Sequence, residues 1–226
     1  MGNARNFQRE LDKLLDGMVD NRAVGKRLFL HSCCAPCSSY VLEYLRNYFR
    51  ITVFYYNPNI SFAQEYQKRV AEQKRLIDAY NRQETGYPID VVEGDYEPQL
   101  FFDMVDGLED CPEGGERCFL CYELRIRRTA EEAKAGGYDY FATTLTISPL
   151  KNAEKLNEIG ERLAAEYQVE WLVSDFKKKN GYKRSIELST EYDLYRQDYC
   201  GCVYSKKERE KRQQLKNDTC VIKTEI

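Results

Sequence analysis

Eight of the nine cysteines in this 226-residue chain are crowded into three short stretches. They read Cys33-Cys34-Ala35-Pro36-Cys37, then Cys111-x6-Cys118-x2-Cys121, then Cys200-Gly201-Cys202. The ninth, Cys220, stands alone in a polar tail and is read as an incidental thiol. Any fold for the chain has to do something with three separated knots of sulfur. Disulfide staples are a poor answer, because a chain of this length with 42% apolar residues can build a core without them. The opening MGNARNFQRELDKLLDGM carries acids early and no apolar h-region, which speaks against a secretory signal. Asn6 also occupies the place where myristoylation of Gly2 would want Ser or Thr. No run of about 18 uncharged apolar residues is present, so no membrane-spanning helix is expected. A cytoplasmic, reducing location follows as the expectation, and there clustered cysteines point to metal ligation or redox chemistry.

The rest of the chain alternates between strand and helix signals. Residues 1–25 read as a helix and a Gly-containing turn. Arg27–Ser32 is a short apolar strand, and Ser38–Phe49 is helical in period, with Val41, Leu42, Leu45 and Phe49 on one face. Ile51–Tyr56 is β-branched and aromatic, a buried strand stopped by Asn57-Pro58-Asn59. Phe62–Arg82 is a long charged helix and Ile89–Val92 a third strand. Cys118–Gly136 is a helix stopped by Gly136-Gly137. Tyr140–Leu145, a helix over about Asn152–Tyr167, and Trp171–Val173 follow, and from Gly181 onward the chain is helical with a break around Cys200. This order predicts an α/β fold, a parallel sheet covered by helices on both faces, with a helical C-terminal portion. Such sheets bind ligands beyond the carboxyl ends of their strands. Here those ends read His31-Ser32-Cys33-Cys34, Asn57-Pro58-Asn59 and Thr144-Leu145-Thr146-Ile147-Ser148-Pro149, so the first cysteine group falls where the fold keeps its site. The expected division is an N-terminal helical extension over 1–26, an α/β catalytic domain with a cysteine-rich metal site over 27–204, and a charged tail over 205–226.

The spacing of the sulfurs limits their chemistry without settling it. Cys118 and Cys121 lie one turn apart at a helix start, where the helix dipole favours thiolate. Cys33, Cys34 and Cys37 offer three sulfurs between a strand and a helix. Closed tetrahedral zinc and an iron–sulfur cluster use the same donors, and both stay open. Six sulfurs exceed one four-thiolate site, and a closed structural site seldom occupies the ligand crevice of an α/β sheet. Cys200-Gly201-Cys202 would close a tight, easily reduced disulfide, which suits a redox pair, while further metal ligands are the alternative. No G-x-x-x-x-G-K-[ST] loop and no G-x-G-x-x-G after a strand is present, so neither nucleotide fingerprint is supported. Where an ATP-pyrophosphatase would carry its Ser-Gly-Gly loop, this chain has Cys33-Cys34-Ala35-Pro36-Cys37-Ser38. His31, the only histidine, could donate a proton or ligate metal, although a hydrogen-bonded core histidine is the commoner arrangement.

A net charge of −3 argues against indiscriminate nucleic-acid binding. Local basic stretches at Lys177-Lys178-Lys179, Lys183-Arg184 and Arg125, Arg127 and Arg128 suit phosphate contacts, or are simply solvated. The 18 tyrosines could stack on unpaired bases, but many must be core.

Five segments, LHSCCAPCS, YYNPNI, ERCFLCYELR, TTLTISPLKN and GYKRSIELSTEYDLYRQDYCGC, together resemble the cobalamin-independent epoxyqueuosine reductases of the QueH type over about Arg27 to Ser205. The resemblance implies an adenine-nucleotide α-hydrolase-like, Rossmann-like fold. It implies reduction of the epoxide of epoxyqueuosine to the alkene of queuosine at the wobble position of tRNA, the last step of queuosine biosynthesis, with loss of water. It also implies a [4Fe–4S] cluster on Cys33, Cys34, Cys118 and Cys121, and a redox-active disulfide between Cys200 and Cys202. Cys37 and Cys111 then remain beside the site, as candidates for holding a second metal, a mononuclear iron or zinc ion. Asp198 is a candidate proton donor or ligand. The partners expected are tRNA, through its anticodon loop, and an unidentified electron donor. Two other classes compete: a structural-zinc RNA-binding protein, which would be colourless and lose its fold on chelation, and a thiol–disulfide oxidoreductase, which six extra sulfurs fit poorly.

Overall fold

Strand β1 (Lys26–His31) lies at the centre of a five-stranded sheet in the order β3-β2-β1-β4-β5. The computed structural model describes residues 5–224, with side chains described as far as residue 215; Gly2 and the Cys220 thiol lie outside the described residues. All the strand pairs are parallel: β2 (Phe49–Tyr55) runs beside β1, β3 (Ile89–Glu93) beside β2, β4 (Tyr140–Thr143) on the other side of β1, and β5 (Glu170–Trp171) at the edge. Alternate residues of a strand face opposite sides, and the core divides accordingly. Leu28, Leu30, Ile51, Val53 and Ala142 enter one hydrophobic cluster with α1 (Phe7–Asp20), α2 (Ala35–Leu45) and α3 (Ala63–Asn81). Phe29, Phe54 and Phe141 enter the other with α5 (Glu116–Ala135) and α6 (Ala153–Tyr167). This is the doubly covered parallel sheet that the alternation predicts. A short α4 (Pro98–Met104), unforeseen in the sequence, precedes α5, and α7 (Gly181–Glu191) and α8 (Val203–Thr224) close the chain.

Several boundaries differ from expectation for local reasons. Helix α2 starts at Ala35 rather than Ser38, because Pro36 suits a first helical turn. Phe49, counted on the helix face, instead begins β2 and is fully buried there. Strand β4 stops at Thr143, whose Oγ1 accepts from Leu145 N at 3.2 Å and turns Thr144–Ile147 into a 3₁₀ turn. Helix α1 buries Leu11, Leu15 and Met18 in the main core, so residues 7–20 belong to the domain rather than extending from it. Helix α8 begins at Val203, which puts the boundary expected at 204/205 inside its first turn. On the other face, a Cβ at Gly160 would lie 2.1 Å from the Trp171 ring, so only glycine lets α6 lie flat on β5. No helix among the described residues is long and apolar enough to cross a membrane.

Candidate metal and substrate site

The strand order reverses direction between β1 and β4, and a ligand crevice opens at such a switch point, beyond the carboxyl ends of the two strands. His31, the last residue of β1, and Thr143, the last of β4, meet there at 2.8 Å. The other ring nitrogen of His31 lies 3.1 Å from the Tyr56 carbonyl. A carbonyl only accepts, so Nε2 carries the hydrogen and Nδ1 accepts from the Thr143 hydroxyl. Burial, with Arg125 nearby, lowers the His31 pKa to about 3. His31 is therefore a neutral, satisfied core residue that ties the two strand ends together.

The first cysteine group follows directly. The Sγ atoms of Cys33, Cys34 and Cys37 lie within 4.8 Å of one another, the one set of three or more metal-binding side chains so placed among the described residues. Cys34 is the N-cap of α2 and makes no side-chain cap bond, so its sulfur is free for its neighbours. Hydrogen bonds from Cys33 and Cys37, helped by the Arg69 charge, hold Cys34 well below the usual thiol range. Cys33 is correspondingly pushed up to about 11 and Cys37 raised. Beneath them, Ser32, Ser38 and Gln73 form a buried hydrogen-bonded set that fixes the turn.

The third group reaches the same crevice from the far end of the sequence. Arg69, 1% exposed, donates to the Cys200 carbonyl at 3.0 Å and the Tyr199 carbonyl at 3.4 Å, while Glu65 holds its Nε at 2.7 Å. Gly201 adopts φ +129° and gives its carbonyl to Ser61 N, and a Cβ there would sit 2.9 Å from Ile60. The Val203 amide bonds Ser61 Oγ at 3.0 Å. The Asn57-Pro58-Asn59-Ile60-Ser61 turn therefore grips the first group, through Asn57 Nδ2 on the Ser32 carbonyl, and the third group together. Cys200 and Cys202 are both free thiols.

Two cavities meet at Cys200. A small chamber of about 10 Å³ is lined by Cys118, Cys121, Cys200 and Cys202, with Tyr122 and Arg125. A wide cavity of about 810 Å³ is lined by Cys33, Cys37 and Cys200, with Tyr182, Tyr199 and Arg209 among its other walls. Arg125 is 1% exposed; its Nε donates to the Cys121 carbonyl at 3.0 Å, but among the described residues neither terminal nitrogen has a hydrogen-bond partner, and the Tyr122 hydroxyl has none either. An uncompensated buried charge costs on the order of 3–5 kcal/mol, so the arrangement calls for negative charge inside the chamber. Burial raises the Cys118 thiol and pushes Cys121 up to about 12; bound metal would convert both to thiolates and supply that charge. Cysteine sulfurs around an unpaired guanidinium fit a thiolate-bound metal centre. The chamber alone has room for about one water or one ion, so a larger group would extend toward Cys33, which packs against the cluster containing Cys118.

Lys151, which no sequence motif singles out, lines both cavities and forms a 3.0 Å ion pair with Glu113. Burial works against its charge, but Cys200, Tyr122 and Glu113 outweigh that and hold it a cation. The available signals were positional: Arg69 and Arg125 interrupt the apolar stripes of α3 and α5, and Lys151 follows the end of β4. Asp198 lines the wide cavity, half exposed and ion-paired with Arg209. Cys111 lines neither cavity; its Sγ lies 3.8 Å from the Pro112 carbonyl. The basic stretches are largely neutralised: Lys177 by Asp175, Lys179 by Asp12, Arg184 by Glu43, Arg127 by Glu123 and Glu166, and Arg128 by Glu132. The cations on the wide cavity are instead Lys151, Arg196, Arg209 and Arg212.

A family profile described as Epoxyqueuosine reductase QueH matches residues 28–208. A protein of that name from Streptococcus pyogenes is 43% identical over 202 residues, covering 89% of this chain and 78% of its own. One from Staphylococcus aureus is 43% identical over 202 residues (88% and 83%), and one from Thermotoga maritima 34% identical over 188 residues (82% and 93%). The matched span takes in the three cysteine groups, Arg69, Arg125, Lys151 and the first turns of α8, and on that extent of likeness the chain belongs to the epoxyqueuosine reductase QueH family.

Proposed function

We propose that this oxidoreductase reduces the epoxide of epoxyqueuosine to queuosine at the wobble position of tRNA, using a [4Fe–4S] cluster held by Cys33, Cys34, Cys118 and Cys121. The observation that carries the reading is Cys200, which opens on the thiol chamber and on the wide cavity at once. A redox group on one side and a substrate on the other would share a single wall. The wide cavity is of the size that binds a nucleoside-sized molecule. Its rim carries Leu150, 61% exposed, and Tyr182, 38% exposed, apolar surfaces on which an unstacked base can lie. Arg196, Arg209 and Arg212 supply phosphate-binding charge at the same opening.

When bound, the cluster would supply electrons one at a time to the epoxide. The chain's own residues do the rest. Arg125 balances the charge of the thiolates, and Arg69 and the Asn57–Ser61 turn fix Cys200 and Cys202 beside the cavity. Those two thiols give two electrons to the site and release two protons as they close to a disulfide, which an external donor reduces back to the dithiol. Cys37, within reach of Cys33 and Cys34, offers a further sulfur for a second iron or zinc ion. The expected setting is the cytoplasm.

Anaerobic purification followed by iron, sulfide and zinc analysis tests the reading, together with single-turnover reduction of epoxyqueuosine-containing tRNA. A brown protein with about four irons and four sulfides per chain, converting the tRNA, is the expected result. Iron-free protein with full activity would overturn the cluster, and a colourless zinc protein without activity would favour a structural-zinc RNA binder.

A further inference from the structure

As an epoxide carbon–oxygen bond opens reductively, negative charge collects on the oxygen, and an unassisted alkoxide is a poor leaving group. Asp198 is half exposed and already engaged in an ion pair with Arg209. Lys151 has the right sign and the right place. It is 7% exposed, whereas the preceding Leu150 is 61% exposed, so within one residue the chain turns from the cavity rim into its wall. A tight turn, with the Lys151 amide on the Ser148 carbonyl at 3.1 Å, makes that reversal. Glu113 accepts from Nζ at 3.0 Å, the one hydrogen bond the ammonium makes among the described residues. An ammonium has three N–H donors, so two remain for whatever enters the cavities that Lys151 lines. Lysine is seldom buried unless paired or used, and here it is paired once and exposed to ligand on two sides.

We propose that Lys151 is a catalytic residue, its ammonium binding the epoxide oxygen and transferring a proton to it as the carbon–oxygen bond breaks. This rests on the reductase reading above. In the overall reaction the epoxide gains two electrons and two protons, both carbon–oxygen bonds break, a carbon–carbon double bond forms, and the oxygen leaves as water. The electrons come from the external reductant of the reductase reaction. Lys151 gives the first proton to the oxygen and is reprotonated from solvent through the open cavity, and the second proton comes from water. Glu113 holds Nζ in place and keeps it cationic between turnovers.

The test uses the metal-loaded enzyme, dithionite as reductant and tRNA carrying epoxyqueuosine, with Lys151→Met, Lys151→Arg and the double variant Lys151→Met/Glu113→Gln. The double variant removes the part-buried carboxylate that Lys151→Met alone would leave unpartnered. Both methionine variants are expected to lose about 100-fold or more in single-turnover rate, as when a general acid is removed. Iron and sulfide content, the visible spectrum and the Kd for tRNA stay within about threefold, and Lys151→Arg, which restores the charge and the donors but has no proton to give up, recovers less than about tenfold of the loss. Rates within about threefold of the parent would overturn the inference, as would a loss that follows the iron content or appears only in the Kd. Turnover by the parent matched by Lys151→Met sinks this inference alone, whereas a loaded parent that leaves the epoxide intact sinks the reductase reading and this inference with it.

Discussion

The two cavities that meet at Cys200 are built on opposite physical terms. The chamber is small, more enclosed and lined by thiols, and its polar groups, Arg125 and Tyr122, are buried with unpartnered atoms. The wide cavity is open, walled by loops with parts of α2, α7 and α8, and its charged groups are largely paired: Asp198 with Arg209, and Arg212 with Glu208. A low-dielectric space strengthens every charge inside it, whereas water screens charges at an open mouth. Substitutions in the chamber should therefore be severe and all-or-none in character, and those at the rim graded and salt-dependent.

The largest effect is expected from Cys118→Ala or Cys33→Ala. Each removes a sulfur from a proposed cluster ligand set, so iron and single-turnover activity should fall together toward background. Retention of full iron by either variant would break the proposed assignment. Next comes Cys200→Ser, at the wall between the cavities. It should keep its iron and visible spectrum while multiple-turnover reduction falls by about 100-fold or more, the scale of removing a nucleophilic or acid–base group. Loss of iron instead would make Cys200 a ligand and move the redox pair elsewhere. Arg125→Met is third. With its unpaired charge gone, apo protein should be no less stable to urea, while metal affinity drops by about 10- to 100-fold, the usual effect of losing a residue that supports metal ligands. A competition titration against a chelator measures the affinity. An unchanged affinity would mean that the Arg125 charge is balanced by something other than the metal-bound thiolates.

The contrast also explains what could be read from the sequence. Strand–helix alternation gave the sheet and both its covered faces, and the C-x2-C spacing located Cys118 and Cys121 on one turn of α5, because those patterns are local. Asn57-Pro58-Asn59 is legible as a stop after β2, but the grip of Ser61, at the end of the same turn, on Gly201 and Val203 joins residues more than 130 positions apart and is invisible without the fold. Arg125 is the mixed case. It sits on the buried stripe of α5, between Tyr122 and Ile126, a position that suits no surface charge, whereas in the linear sequence it reads with Arg127 and Arg128 as a basic stretch. Lys151 left less trace still, since burial of a lysine four residues past a 3₁₀ turn depends on where Glu113 arrives from α5's preceding loop.

The smallest effect separates two rims that look alike in sequence. Lys177-Lys178-Lys179 reads as the strongest basic run, yet Lys177 is held by Asp175 at 2.8 Å and Lys179 by Asp12 at 2.5 Å. Replacing all three with Gln removes three formal charges but frees two carboxylates that they neutralised, and none of the three lines the wide cavity. Arg209 and Arg212 also have acidic partners, Asp198 and Glu208, but they do line it, so in the proposed reading an incoming phosphate can compete for them at the mouth of the cavity. Each lost phosphate contact lowers the slope of log K against log salt by about 1. Arg209→Gln/Arg212→Gln should therefore weaken tRNA binding at low salt and flatten its salt dependence by about 1 to 2 units. The lysine triple variant should change the slope by less than about 1, with the metal spectrum unchanged in both. If the lysine variant flattens the slope more than the arginine variant, the anticodon loop approaches across the α7 side, and the wide cavity's arginines serve to hold Asp198 and Glu208 rather than RNA.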